Sequence, residues 1–180
     1  TRPFLIGDYL SVSAEQLQLC SVKVKNMKNL VFLKPFSIKN PTLEEQNDFM
    51  MNEIFIEVEC ASLGEMYDSD KLYGKELETF IPQEVRAKHP DWVIAVGRCA
   101  TAALEIRRQK KVLLNPKVSY EHLNNVTEFD RENTYGFFDD LHERDYERFQ
   151  SVFPHAIWFP QDDNLSLFTI KEIVEEIING

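Results

Sequence analysis

The sequence predicts an α/β fold, with a mostly parallel sheet and helices on both faces, and three observations carry that prediction. From residue 30 onward short apolar runs alternate with helical patterns, as in right-handed strand-helix-strand crossovers. The run Trp92-Val93-Ile94-Ala95-Val96 has no polar alternation, which is expected of a strand covered on both faces. Ile170, Ile173, Val174 and Ile177 recur at i, i+3, i+4 and i+7 and mark an amphipathic closing helix.

The elements follow in order. Leu30 to Leu33 reads as a buried strand, and Thr42-Leu43-Glu44-Glu45 has the spacing of a capping box that opens a short helix. Ile54 to Val58 is the next strand. A helix from about Gly74 to His89 follows, with Leu77, Phe80, Ile81 and Val85 on one face, and Pro82 must sit near its start or kink it. After the central strand, Ala100 to Gln109 is expected to be helical. Lys111 to Leu114 and Thr134 to Phe138 are two more strands. Between them, Asn115 to Asn133 is a 19-residue polar stretch without a clear helix, long enough for a covering role or else a plain surface loop. Asp145 to Phe153 reads as a helix and His155 to Phe159 as the last strand.

Composition bounds the function. A chain of 180 residues with 43% hydrophobic residues and 13 Phe can build one sizeable core. Residues 30–180 are expected to form that domain, with residues 1–29 as an N-terminal extension packed on it or paired with a second copy. The net charge of −10 argues against a nucleic-acid binder, whose affinity rests on clustered Lys and Arg. Residues 1–40 are the exception, with six Lys or Arg against Asp8 and Glu15, a basic patch on an acidic body. No apolar run approaches the roughly 20 residues that span a bilayer, so a soluble, cytoplasmic protein is expected. Cys20, Cys60 and Cys99 form no C-x-x-C pair and read as reduced thiols.

In parallel sheets the active loops lie beyond the carboxyl ends of the strands. The loop after the first strand, Lys34-Pro35-Phe36-Ser37-Ile38-Lys39, has no glycine, so no phosphate-cradling or dinucleotide-binding turn fits there. That agrees with six glycines in the whole chain, about half the usual ~7%. The loop after the central strand is more informative. A hydrophobic strand runs into Gly97-Arg98-Cys99-Ala100-Thr101, the layout of G-x-S-x-G with Cys for Ser and Thr for the second Gly. Small residues suit that place because a tight strand-to-helix turn brings strand and helix together. A thiolate there would gain from the helix dipole.

Four stretches occur in register: Pro90 to Gly97, Val112-Leu113-Leu114-Asn115-Pro116, Tyr135-Gly136-Phe137-Phe138-Asp139-Asp140, and Phe153-Pro154-His155-Ala156-Ile157-Trp158-Phe159. Together they resemble the small single-domain bacterial esterases of the α/β-hydrolase superfamily, over roughly residues 29–178. The resemblance implies a three-layer α/β-hydrolase-like fold. It also implies His-Gly after the first strand, where this chain has Lys34-Pro35, and a proline offers no N–H to an oxyanion. The serine position falls on Cys99 and the acid position on His142, with Asp140 two residues earlier. The base should follow the last strand, yet Pro160-Gln161-Asp162-Asp163-Asn164-Leu165-Ser166 contains no histidine.

Losing triad members costs a serine hydrolase on the order of 10⁶ in kcat, so an ordinary serine esterase is excluded. The leading expectation is a non-catalytic binding or interaction protein on an esterase-like scaffold, taking a small acyl ligand or a protein partner. The alternative is a cysteine-dependent hydrolase or acyltransferase acting on a small acyl ester or thioester. Its catalytic residues would be Cys99, His142 and Asp140, with Gly97, Ala100 and Lys34 at the elbow or oxyanion hole. The bland reading of Cys99 is a small residue packed under a helix. Asp139, Asp140, Asp162 and Asp163 could face one another around a divalent cation, but acidic pairs before helices more often serve as caps. No metal and no cofactor is therefore expected. Of the other histidines, His89 ends a helix, His122 lies in the polar stretch and His155 opens a strand.

Overall fold

A computed structural model of the chain describes residues 28–34, 60–67, 75–162 and 165–180. Six strands form one sheet: β1 (Lys28–Lys34), β2 (Cys60–Tyr67), β3 (Trp92–Val96), β4 (Lys110–Leu114), β5 (Thr134–Asp139) and β6 (His155–Phe159). They lie in the order β2-β1-β3-β4-β5-β6, and every neighbouring pair is parallel. The order reverses between β1 and β3, so crossovers leave in opposite directions there and open a crevice at the carboxyl ends.

The register explains why the central strand reads as an unbroken apolar run. One row across the sheet is Phe32, Ile94, Val112, Tyr135 and His155, and the next is Leu33, Ala95, Leu113, Gly136 and Ala156. Both rows are covered. The first row packs against Val174 and Ile178 of α5 (Lys171–Asn179), together with Leu167 and Ile170 just before it. The second row meets Ile81 and Val85 of α1 (Lys75–Lys88), Cys99, Ala100, Ala102 and Ala103 of α2 (Arg98–Ala103) and Phe149 of α4 (Glu143–Gln150). Small residues at Ala95, Gly136 and Ala156 let those helices come close. Helices therefore cover both faces of a parallel sheet, and burial on each side is what stabilises it.

Several boundaries differ from expectation. Pro82 sits inside α1 without ending it, and Phe80 is 37% exposed rather than on the buried face. Helix α2 begins at Arg98 and stops at Ala103, well short of Gln109. Past Ala103 the chain unwinds through i−3 hydrogen bonds, Glu105 N–H to the Ala102 carbonyl at 3.1 Å and Ile106 N–H to the Ala103 carbonyl at 3.0 Å. Further on, Arg108 takes a left-handed φ of 57°, and the N–H groups of Arg108 and Gln109 donate to the Asp130 carboxylate at 3.0 and 3.2 Å. The polar stretch holds a 3₁₀ turn at Tyr120–Leu123 and a short helix, α3 (Glu128–Asn133), capped by Thr127, whose hydroxyl accepts from the Asp130 N–H. Helix α4 is shifted toward the N-terminus relative to Asp145 to Phe153.

Strand β2 has no sequence counterpart among the expected elements, since Cys-Ala-Ser-Leu-Gly-Glu-Met-Tyr contains no apolar run. The expected strand at Ile54 to Val58, the capping box at Thr42 and the extension up to residue 27 lie outside the described residues. No helix among the described residues is long and apolar enough to cross a membrane.

Candidate functional site

The carboxyl end of β3 is joined to α2 by a single residue. Val96 ends the strand, Arg98 starts the helix, and Gly97 makes the turn with φ 60° and ψ −127°. Its N–H donates to the Leu114 carbonyl at 2.9 Å, and its carbonyl accepts from the Thr101 N–H at 3.1 Å. An L side chain adopts such backbone angles only under strain. In a nucleophile elbow the nucleophile is the residue on that sharp turn, with small residues two positions either side. Measured from the turn, those flanking positions are Ala95 and Cys99, and the turn residue is Gly97.

Cys99 therefore lies two residues further on than a turn nucleophile. It is fully buried and belongs to the core cluster with Ile81, Val85 and Ala102. Ala100 is equally buried. The register expected from the sequence shifts by two because Gly97 resembles the first glycine of G-x-S-x-G, and only the backbone angles show that it occupies the turn. Lys34 is the last residue of β1, opposite Tyr67 of β2, and its side chain is outside the described set.

At the tip of β5 the structure builds a second group. Asp139 is buried, and its Oδ1 accepts from the Leu141 N–H at 3.0 Å and lies 2.7 Å from His142 Nδ1. Asn115, with a left-handed φ of 52°, clamps the same residue from β4. Its Nδ2 donates to Asp139 Oδ2 at 3.0 Å, and its Oδ1 accepts from the Asp139 N–H at 2.9 Å. The partner of His142 is thus Asp139. Asp140 is exposed and ties down the final loop by donating its N–H to the Asp162 carbonyl at 2.8 Å. Asp163 is outside the described residues.

A third feature involves residues that the sequence left without a role. A groove of about 650 Å³ opens among the segments that follow β2, β3, β4 and β5, lined by Glu78, Thr101, Lys117, Tyr120, His122 and Arg148 among others. Thr101 Oγ1 accepts from the Lys117 N–H at 2.8 Å, and Asp145 Oδ1 accepts from the Val118 N–H at 2.8 Å. Arg148 donates to the Val118 carbonyl at 3.1 Å and covers the exposed Tyr120 ring at 5.0 Å. Of residues 115–133, Lys117 to His122 line this groove.

No family model matches the chain, and no curated protein does. A solved structure described as a "putative lipoprotein from Peptoclostridium difficile 630 (fragment)" is similar over 62% of this chain and 85% of its own. The identity is 14% and the TM-score 0.43, too slight a likeness to carry an argument.

His122 is 4% exposed and is held from both sides. Ser119 places its N–H 3.0 Å and its hydroxyl 3.1 Å from Nδ1. Nε2 lies 2.8 Å from Glu78 Oε1 and 3.8 Å from Glu105 Oε1. The sequence offers one signal for this arrangement, the spacing Ser119-x-x-His122, in which a capping-box histidine replaces the usual Glu or Gln. Nothing in the sequence links it to Glu78 or Glu105, because α1 and the end of α2 arrive there only through packing.

Proposed function

We propose that this chain is a non-catalytic binding or interaction protein built on an α/β-hydrolase-like scaffold. The observation that supports this reading most is Gly97. If the β3–α2 turn is the descendant of a nucleophile elbow, the residue at its apex has no side chain to attack a carbonyl. Covalent catalysis needs an activated nucleophile within reach of a base, and a buried Cys99 inside the helix layer is poorly placed for either. Lys34-Pro35 after β1 supports the same reading, since Pro35 has no N–H to offer an oxyanion. What a binder retains is surface, and the groove beside Tyr120 and Arg148 is the place for a small acyl ligand or a segment of a protein partner.

One observation favours the hydrolytic alternative. The contact of His142 Nδ1 with Asp139 has the geometry of the base-and-orienter half of a triad, and the ring is 24% exposed. With glycine at the turn, the same pair also serves as an ordinary clasp of the loop after β5.

Hydrolysis of short-chain p-nitrophenyl esters by the full chain is expected to equal the buffer rate, and Cys99→Ala is expected to leave it unchanged. In a Cys20→Ser/Cys60→Ser background the remaining thiol should react with a disulfide reagent only after unfolding. Ester turnover that vanishes in Cys99→Ala, or prompt labelling of folded protein, would replace this reading with the cysteine-dependent one.

A further inference from the structure

We propose that β6 is the interface through which two copies of this chain pair, edge to edge and antiparallel, about a two-fold axis at Ile157. The inference does not rest on the state of the turn at Gly97, and its test reads association rather than ester turnover. Among the described residues β6 ends the sheet and is bonded to β5 alone. A strand in that position presents a row of N–H and C=O groups on its outer side, a template for another strand.

Proteins blunt such edges with charges, prolines or bulges. The opposite edge shows two of these devices, since β2 carries Glu65 and its pairing with β1 shifts register between Lys28 and Asn29. β6 shows none. His155-Ala156-Ile157-Trp158-Phe159 has no Lys, Arg, acid, Gly or Pro, and it runs beside β5 in unbroken register from Tyr135–His155 to Asp139–Phe159. Ile157 is 36% exposed.

The side chains favour a second copy as the occupant. A net charge of −10 makes two copies repel in general, but β6 brings no carboxylate, so pairing along it sets no acids against each other. About an axis at Ile157, Ala156 faces Trp158 of the copy, His155 faces Phe159, and Ile157 faces its own counterpart. On the α4 side a small residue thus meets a large one. Trp158 already holds its place there, with its ring stacked on Tyr146 at 5.7 Å and its Nε1 donating to the Asp139 carbonyl at 3.2 Å. On the α5 side the pairs are aromatic or β-branched, the kinds that stabilise neighbouring strands.

The alternating segment Ser21-Val22-Lys23-Val24-Lys25 cannot reach this edge. Lys25 is three residues from the start of β1 at Lys28, a reach of roughly 10 Å. The position beside β6 is five strand spacings from β1, roughly 24 Å. Five paired residues alone fall short of the ~1,200 Å² that a stable interface buries. The remainder is at hand on both faces. Helix α4 packs on β5 and β6 and so meets its copy across the axis, and its exposed Glu143, Arg144 and Glu147 carry both signs. On the α5 side Phe168, in the turn before that helix, is 52% exposed.

The test is sedimentation of the full chain over a concentration series, with Ile157→Lys at the axis and Phe129→Lys, an exposed aromatic on α3, as the control. The wild type is expected to sediment as a dimer at the upper concentrations, and Phe129→Lys to follow it. Ile157→Lys sets two like charges opposite each other and is expected to weaken dimerisation about tenfold or more. Thermal melts establish that both variants fold. A second measurement needs no added charge. In a Cys20→Ser/Cys60→Ser background, Ile157→Cys is expected to form a disulfide between copies under mild oxidation, because residues opposed across antiparallel strands have Cα atoms about 4.5–5.5 Å apart. Phe129→Cys is expected to stay free. A wild type that remains monomeric throughout the series overturns the assignment, whether the Ile157→Cys thiol labels promptly because the edge is bare or slowly because residues 1–27 cover it. A dimer that Ile157→Lys leaves unchanged overturns it as well.

Discussion

Replacing Asp130 by alanine is expected to destabilise the protein by about 3–5 kcal/mol, because it strands a buried ammonium. Lys111 and Asp130 lie 3.6 Å apart with side chains 1% and 0% exposed, where β4 begins and α3 crosses it. The aspartate also accepts from the backbone N–H groups of Arg108 and Gln109 and from the Thr127 hydroxyl. Burial alone would raise its carboxyl. The donated hydrogen bonds and the Lys111 charge outweigh that and hold it below the usual range, so its contribution is present above pH ~4 and fades as pH falls through its lowered folded-state value.

Lys111 supplies the matching alkaline signature. Burial pushes its ammonium down to about 8, against the opposing pull of Asp130. Between about pH 8 and 10.5 the unfolded chain holds a proton that the folded chain has released, so this group makes stability rise with pH in that window. The gain is about 3 kcal/mol in total, at 1.36 kcal/mol per unit. Denaturant melts of wild type and Lys111→Met from pH 7 to 10.5 should diverge with that sign. Parallel curves would show that Lys111 is not charged and buried as described.

The second large effect is expected at Phe149. Its ring is fully buried, stacks on Phe153 at 4.4 Å and tilts against Phe138 at 5.3 Å. Phe149→Ala should cost about 3–5 kcal/mol through lost burial and the cavity left behind. The site exists because β5 carries Gly136 beneath it. A methyl group there would lie 2.7 Å from the Phe149 ring and 2.8 Å from the Phe138 ring. Gly136→Ala is therefore expected to cost about 1–3 kcal/mol in wild type and at least about 0.5 kcal/mol less in the Phe149→Ala background. Additive losses would mean that the two residues do not share the space.

How much was legible in the sequence follows from the range of each signal. β3 stands out because a strand covered on both faces is apolar throughout, β4 because it ends in the apolar run Val112-Leu113-Leu114, and α5 because one face of an amphipathic helix repeats every 3.6 residues. β2 was invisible, since Cys60–Tyr67 contains no such run and its place beside β1 is set by pairing. The sequence predicts a longer α2 because Leu104 and Ile106 continue the apolar pattern, while in the structure the chain past Ala103 unwinds and residues 108 and 109 are held by a carboxylate more than twenty residues away. The candidate residues fared unevenly for the same reason. His142 was singled out, but its partner is Asp139 rather than Asp140, a choice made by the 3₁₀ turn and by Asn115 reaching over from β4.

By itself the sequence determined the alternation of strands and helices, the lack of glycine in the loop after β1, and the lack of a histidine after β6, because these depend on residue type and local spacing. Only the tertiary structure decided that Gly97 holds the turn while Cys99 enters the core, and that His122 meets two glutamates. A backbone angle and a contact between distant segments leave no periodic trace in a chain. Both come from how helices settle on the sheet, where small residues at Ala95, Gly136 and Ala156 set the distance of approach.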